Sequence, residues 1–392
     1  MSTASESADL SAGYRPGSSF FFRSPTRTLL TQGVWADLSV RPDEPDTVRA
    51  ALGAATGPTR PRPIAVGAIP FRAEDPARLS IPASVRWSSP VVPGTADNPD
   101  MTPRVAVQQV PDPAEYERAV EKALARLAEG GLGKVVLART LHLAADQVDV
   151  AQLLRNLTAG DPHGRVFAVA VPGEDGLCTM LGASPELLVS RFGRDVVSHP
   201  LAGSAARSPD PVEDRRRASA LLESAKDRAE HAFVVDAVAA ALLPYCDRLL
   251  VPAQPALVQT ATMWHLGTRV TGTLADPETT ALTLAAALHP TPAVCGTPVN
   301  AARELIAELE PFPRGYYGGA VGWCDAAGDG EWAVTIRCAE VSGNRARLFA
   351  GAGIVPGSQP AAELAETTAK FRTLLRALGL DDLDLDLDGT ER

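Results

Sequence analysis

Leu221-Leu-Glu-Ser-Ala-Lys-Asp-Arg-Ala-Glu-His-Ala-Phe-Val-Val235 reads as helix, inside a helical region expected over about 212–243. Residues three or four apart share a helix face, so Asp227 and Glu230 should project side by side. Near the end of the chain Glu363 and Glu366 repeat that spacing. They lie on a helix expected over about 360–377, closed by Gly379, whose other face carries Leu364, Thr368, Phe371 and Leu375. Two helices thus each offer a carboxylate pair. Four carboxylates brought together repel one another and resist burial unless a cation joins them, and oxygen-only ligands suit a hard ion such as Mg²⁺. Two solvated helix faces carry the same spacing, so the rest of the chain has to decide between the readings.

Working outward, most of what surrounds these helices reads as strand. Lys134-Val-Val-Leu-Ala-Arg-Thr-Leu141 is a β-branched run expected to be a buried strand with Lys134 at its entry, where a lysine is ordinarily solvated. Glu186 follows a break at Gly182–Pro185 and precedes three apolar residues. A carboxyl group there would be poorly hydrated and hold its proton near neutrality, as a general acid must, unless the strand lies at a sheet edge facing water. Gly203 and Ser204 can present N–H groups and a hydroxyl to an anion, and the Gly351-Ala-Gly353 turn can do the same. His265 falls in the middle of a strand over 260–268, where a lone histidine is more often a satisfied core residue than a catalyst. Residues 332–339 alternate as one strand, which stands Arg337 among small neighbours with room for an anionic ligand. The three prolines of His289-Pro-Thr-Pro-Ala-Val-Cys-Gly-Thr-Pro298 enforce a stiff, extended loop carrying Ala293 and Val294. Before all this, residues 1–110 are rich in Pro, Gly and Ser, with short strand-like runs at 20–22, 28–30 and 64–69.

Composition narrows the function. A chain of 392 residues that is 45% hydrophobic can bury a large core. A formal charge of −10 without a basic tract argues against nucleic acid and anionic membranes as partners. No apolar run approaches the ~18 residues of a membrane span, and residues 1–17 lack a secretory pattern, so the expected location is the cytoplasm. The five cysteines contain no Cys-x-x-Cys pair, against both a disulfide frame and a zinc site. There is no Walker loop, dinucleotide fingerprint or Gly-x-Ser-x-Gly. With no coiled-coil seam or extra apolar patch, the expectation is a monomer.

Seven motifs, in order, resemble those of the chorismate-utilising enzymes, the isochorismate, salicylate, anthranilate and aminodeoxychorismate synthases. They are Gly-Lys-Val-Val-Leu-Ala-Arg (133–139), Leu-Gly-Ala-Ser-Pro-Glu-Leu-Leu (181–188), Leu-Ala-Gly-Ser (201–204), Lys-Asp-Arg-Ala-Glu-His (226–231), Tyr-Gly-Gly-Ala-Val-Gly-Trp (317–323), Ile-Arg-Cys-Ala (336–339) and Gly-Ala-Gly-Ile-Val (351–355) with the Glu363/Glu366/Lys370 helix. The resemblance implies a single large α+β domain of antiparallel sheets enclosed by helices. Residues 111–379 would form its catalytic core, 1–110 a variable segment of the same domain, and 380–392 an acidic, disordered tail. It implies Mg²⁺ held mainly by Glu230 and Glu366, with Asp227 and Glu363 in support, and chorismate as substrate. Lys134 would be the general base activating water and Glu186 the general acid for the departing hydroxyl. Arg337, Lys370, Gly203, Ser204, Gly351 and Gly353 would hold carboxylates, with His265, Ala293, Val294 and Tyr317 lining the pocket. The loop at 289–298 resembles that of isochorismate synthases of siderophore and menaquinone pathways rather than that of ammonia-using members. A salicylate synthase is the nearest alternative, and Ala293, where such lyases tend to carry Thr, speaks against it. A chorismate-binding protein without turnover fits poorly with a chain that has both Lys134 and Glu186.

Overall fold

The computed structural model describes residues 9–41, 44–72, 74–91, 105–174, 176–381, 383 and 385. Among them seventeen strands join one sheet, three more form a small sheet, and eight α-helices pack around both. All the strand pairings are antiparallel, so this is α+β rather than α/β architecture. The strands of the first 110 residues belong to the large sheet. Ser19–Arg23 pairs with Arg165–Gly173, and Ile64–Ile69 pairs with Ala320–Asp325.

The spine of the site is the pairing of Lys134–Ala145 with Arg345–Ile354, in a register that sets Val136 opposite Gly353 and Ala138 opposite Gly351. Lys134 itself pairs with Thr297, which brings the proline-rich loop onto the same strand end. The helix Pro360–Ala377 docks through Phe371, Leu374 and Leu375, each 1% exposed. Burial of each such side chain stabilises by about 1.5–3 kcal/mol, which holds the helix while its opposite face carries the charges.

Several local expectations give way. The helical region over 212–243 is two helices, Pro211–Glu223 and Ala225–Leu242. Ser224 breaks it, because its hydroxyl accepts the Asp227 N–H as an N-cap. The strand over 332–339 is also two, Gly330–Val334 and Cys338–Ser342, with Arg337 between them at φ 51. Gly351 and Gly353 lie inside a continuous strand instead of a turn. Gly203 and Ser204 sit in the strand Leu201–Ala206, bulged where Gly203 takes φ 76. The tail does pack at its start. Leu380 and Leu385 are buried beside Leu374, and the Gln109 side-chain amide donates to the Leu385 carbonyl at 2.8 Å. Leucines recur through the acidic tail sequence, and Leu380 and Leu385 supply its buried contacts while Asp381 is exposed. Residues 386–392 lie outside the described residues.

Candidate active site

A cleft with about 590 Å³ of empty space, part of it open to solvent, gathers groups from every part of the spine. The small sheet contributes Gly203, Ser204 and His265, and the proline-rich loop contributes Ala293 and Val294. Tyr317 comes from the turn before the strand Ala320–Asp325, and Arg337 from the turn after Gly330–Val334. Gly351 and Gly353 line the floor, Glu230, Glu366 and Lys370 come from the two helices, and Glu186 closes a wall. Lys134, Asp227 and Glu363 stand one layer behind. A roomier groove lined by His142, Cys178 and Arg347 gathers none of these groups.

The two glycines of the floor are required by their neighbours. A Cβ on Gly353 would stand 2.0 Å from Glu230 Oε1 and 2.9 Å from Lys134 Cε, and one on Gly351 would stand 2.7 Å from the Tyr317 hydroxyl. Lys134 is fully buried, with Nζ 2.9 Å from Glu230 Oε1 but in no well-formed hydrogen bond. Glu366 accepts from Ser204 Oγ at 2.8 Å and from Lys370 Nζ at 2.6 Å, while Lys370 also donates to the Gly351 carbonyl. Burial alone would raise the Glu366 pKa, but Lys370 and Ser204 outweigh it and hold it below the usual value. Glu363 is displaced the other way, upward, by burial and by the Glu366 charge.

Glu186 differs from all of these. It has no cationic side chain within ion-pairing distance among the described residues, and complete burial pushes its pKa up to about 8. A backbone hydrogen bond from Leu201 and the more distant charges of Lys134, Arg337 and Lys370 only partly oppose that rise. At neutral pH it is a protonated acid facing the cleft.

Arg337 is buried with no carboxylate partner among the described residues, an arrangement that asks for an anion from outside. Its guanidinium donates to His265 Nε2 at 3.2 Å, and the other imidazole nitrogen donates to the Gly203 carbonyl. His265 is held far below its ordinary pKa by burial and by Arg337, so it stays neutral and its lone pair is committed. The structure thus makes His265 a support for Arg337.

The donor chemistry of Glu230, Glu366, Asp227 and Glu363 fits a hard cation. Glu363 Oε2 is buried and makes no hydrogen bond. Burial, with Glu230 and Glu366 nearby, also raises the pKa of Asp227. In their present positions, however, no three His, Cys, Asp or Glu groups among the described residues converge closely enough to grip an ion.

The family model for chorismate binding enzyme matches residues 90–379. The chain belongs to the chorismate-binding enzymes. It is 51% identical over 385 residues to the isochorismate synthase DhbC of Bacillus subtilis, covering 94% of this chain and 96% of that protein. A Bacillus anthracis structure assigned as a 2,3-dihydroxybenzoate-specific isochorismate synthase superposes with TM-score 0.90 at 48% identity, over 95% of this chain and 99% of the other. The menaquinone-specific isochorismate synthase MenF of Escherichia coli gives TM-score 0.79 at 25% identity, over 95% and 91%.

Two features of this chorismate-binding enzyme escape a reading of the sequence. Arg314 donates to the Val294 carbonyl at 2.6 Å and the Val136 carbonyl at 2.8 Å, tying the proline-rich loop to the Lys134 strand. Its partner Glu310 accepts the Ala138 N–H at 2.7 Å. The i,i+4 spacing of this pair crosses Pro311 and Pro313, where helix rules give no signal. The second is Lys226, which pairs with Glu363 at 2.6 Å. A lysine in the first turn of a helix opposes the macrodipole, and that was the available signal.

Proposed function

We propose that this cleft isomerises chorismate to isochorismate, with Glu186 as general acid, Lys134 as general base and Arg337 with Lys370 as the carboxylate-binding cations. The activity follows from the kinship with isochorismate synthases. The single observation that carries the division of roles is a buried, protonated Glu186 in the same cleft as a buried Arg337 that lacks a carboxylate. Hydroxide leaves C4 poorly unless it is protonated, and Glu186 holds a proton at neutral pH for that purpose. Water attacks C2 poorly unless it loses a proton. Lys134, buried just behind the cleft beside Glu230, has no backbone carbonyl to hold it, whereas Lys370 is committed to Gly351 as well as Glu366.

Mg²⁺ would be held by Glu230 and Glu366, with Asp227 and Glu363 behind them. Bound there, it supplies positive charge for the ring carboxylate. Ala293 and Val294 give the cleft an apolar side, so position 293 offers no hydroxyl to help eliminate pyruvate. The higher likeness to the 2,3-dihydroxybenzoate-specific structure than to the menaquinone-specific one favours a route toward 2,3-dihydroxybenzoate. No helix among the described residues is long and apolar enough to cross a membrane.

Lys134→Ala and Glu186→Gln are each expected to lower turnover by roughly 10²- to 10⁴-fold while remaining folded. A near-normal rate in either would remove that residue from its role. Chelation with EDTA should abolish activity and Mg²⁺ should restore it; turnover that persists without metal would exclude the cation.

A further inference from the structure

Each of the three glutamates of the cation reading, Glu230, Glu363 and Glu366, has a lysine of its own, and the three lysines differ in one respect. Lys134 is 0% exposed and has nowhere to go. Lys370 is 12% exposed and also tied to the Gly351 carbonyl. Lys226 is 32% exposed, and its one hydrogen bond among the described residues goes to Glu363. It also sits in the first turn of its helix, where the macrodipole disfavours a cation. Glu363, by contrast, is 1% exposed and keeps an unpartnered oxygen, Oε2. A buried carboxylate is stabilised by a cation, and among the described residues the one paired with Glu363 is the part-exposed Lys226 ammonium.

We propose that Lys226 is a placeholder cation: it neutralises Glu363 while the divalent ion is absent and swings into solvent when that ion arrives. The proposal rests on the Mg²⁺ reading given above. It makes metal binding an exchange. The enzyme gives up the Lys226–Glu363 pair for the cation bound, so Glu363 keeps a positive partner in both states. At 32% exposure the Lys226 side chain already borders solvent, and its one hydrogen bond among the described residues is the one to Glu363.

Lysine acylation followed by mass spectrometry reads the exchange directly and without turnover. Labelling of Lys226 is measured with and without Mg²⁺, alone and together with isochorismate, and binding of Mg²⁺ to the same samples is followed by calorimetry. We expect Mg²⁺ to raise Lys226 labelling by up to about tenfold, the factor for losing a pair worth about 1.4 kcal/mol. Lys134 should stay unlabelled throughout. In Glu363→Gln, Lys226 should label at the released level without metal and show no further response to it. Heat of Mg²⁺ binding with unchanged Lys226 labelling would overturn the exchange and leave the metal reading standing. Absence of any Mg²⁺ binding, even with isochorismate present, would overturn both.

Discussion

Glu230 Oε1 occupies the space in which a side chain on Gly353 would have to begin, 2.0 Å from the ideal Cβ position. The contact joins a helix to the floor strand and explains why a glycine stands in mid-strand, where it otherwise weakens pairing. Gly353→Ala should therefore push Glu230 and Lys134 apart from the floor. Overpacking of this kind costs about 1–3 kcal/mol in stability. Turnover should fall far more than the fraction of folded protein, as measured by parallel urea unfolding and kinetic assays. A fully active Gly353→Ala variant would show that Glu230 is not needed where it stands.

The elevated pKa of Glu186 predicts how both rate and stability respond to pH. The acid form is the working form, so turnover should decline as pH rises through about 8. The folded state also binds this proton more tightly than the unfolded chain does. Its contribution to stability is therefore fully present below the ordinary glutamate value and is lost as pH climbs from there to about 8. In Glu186→Gln that part of the pH dependence should disappear from denaturation curves. Parallel curves for the two proteins would mean that Glu186 titrates normally.

The buried Arg314–Glu310 pair should behave as a unit. Arg314→Met leaves Glu310 buried without its cation, a change expected to destabilise by about 3–5 kcal/mol in chemical unfolding. Removing both charges in Arg314→Met/Glu310→Leu should recover much of that loss. Equal destabilisation by the single and double variants would reduce Arg314 to its packing against Phe71 and Tyr317.

Product choice should depend on Ala293. Its methyl group offers no hydroxyl to the substrate, so isochorismate should leave with its enolpyruvyl group intact. Ala293→Thr is expected to raise the ratio of pyruvate to isochorismate even if total turnover falls, read with a lactate dehydrogenase coupled assay. An unchanged ratio would show that this position does not govern the branch.

How much of this was legible beforehand depended on whether a residue's role was set locally. The carboxylate spacing on the two helices and the break ahead of Glu186 are local features, and the structure carries Glu186, Glu230 and Glu366 to one cleft with Asp227 and Glu363 behind it. Lys134 at a strand entry would ordinarily be solvated; its burial is decided by Thr297 and Glu230, which are distant in sequence. Alternation suggested an unbroken strand through Arg337, but a left-handed residue leaves no trace in alternation. Ser224 was legible as an N-cap inside the quoted stretch, yet the apolar pattern on either side ran on through it. The leucines of the acidic tail show the reverse case, where net charge suggested disorder although Leu380 and Leu385 supplied buried contacts.

The most direct test of the central claim is the product itself. Purified protein incubated with chorismate and Mg²⁺, then separated by chromatography, should give isochorismate approaching equilibrium with chorismate, with little pyruvate and no aminated product when ammonia is supplied. Salicylate with stoichiometric pyruvate, an amino product, or chorismate recovered unchanged would contradict the account.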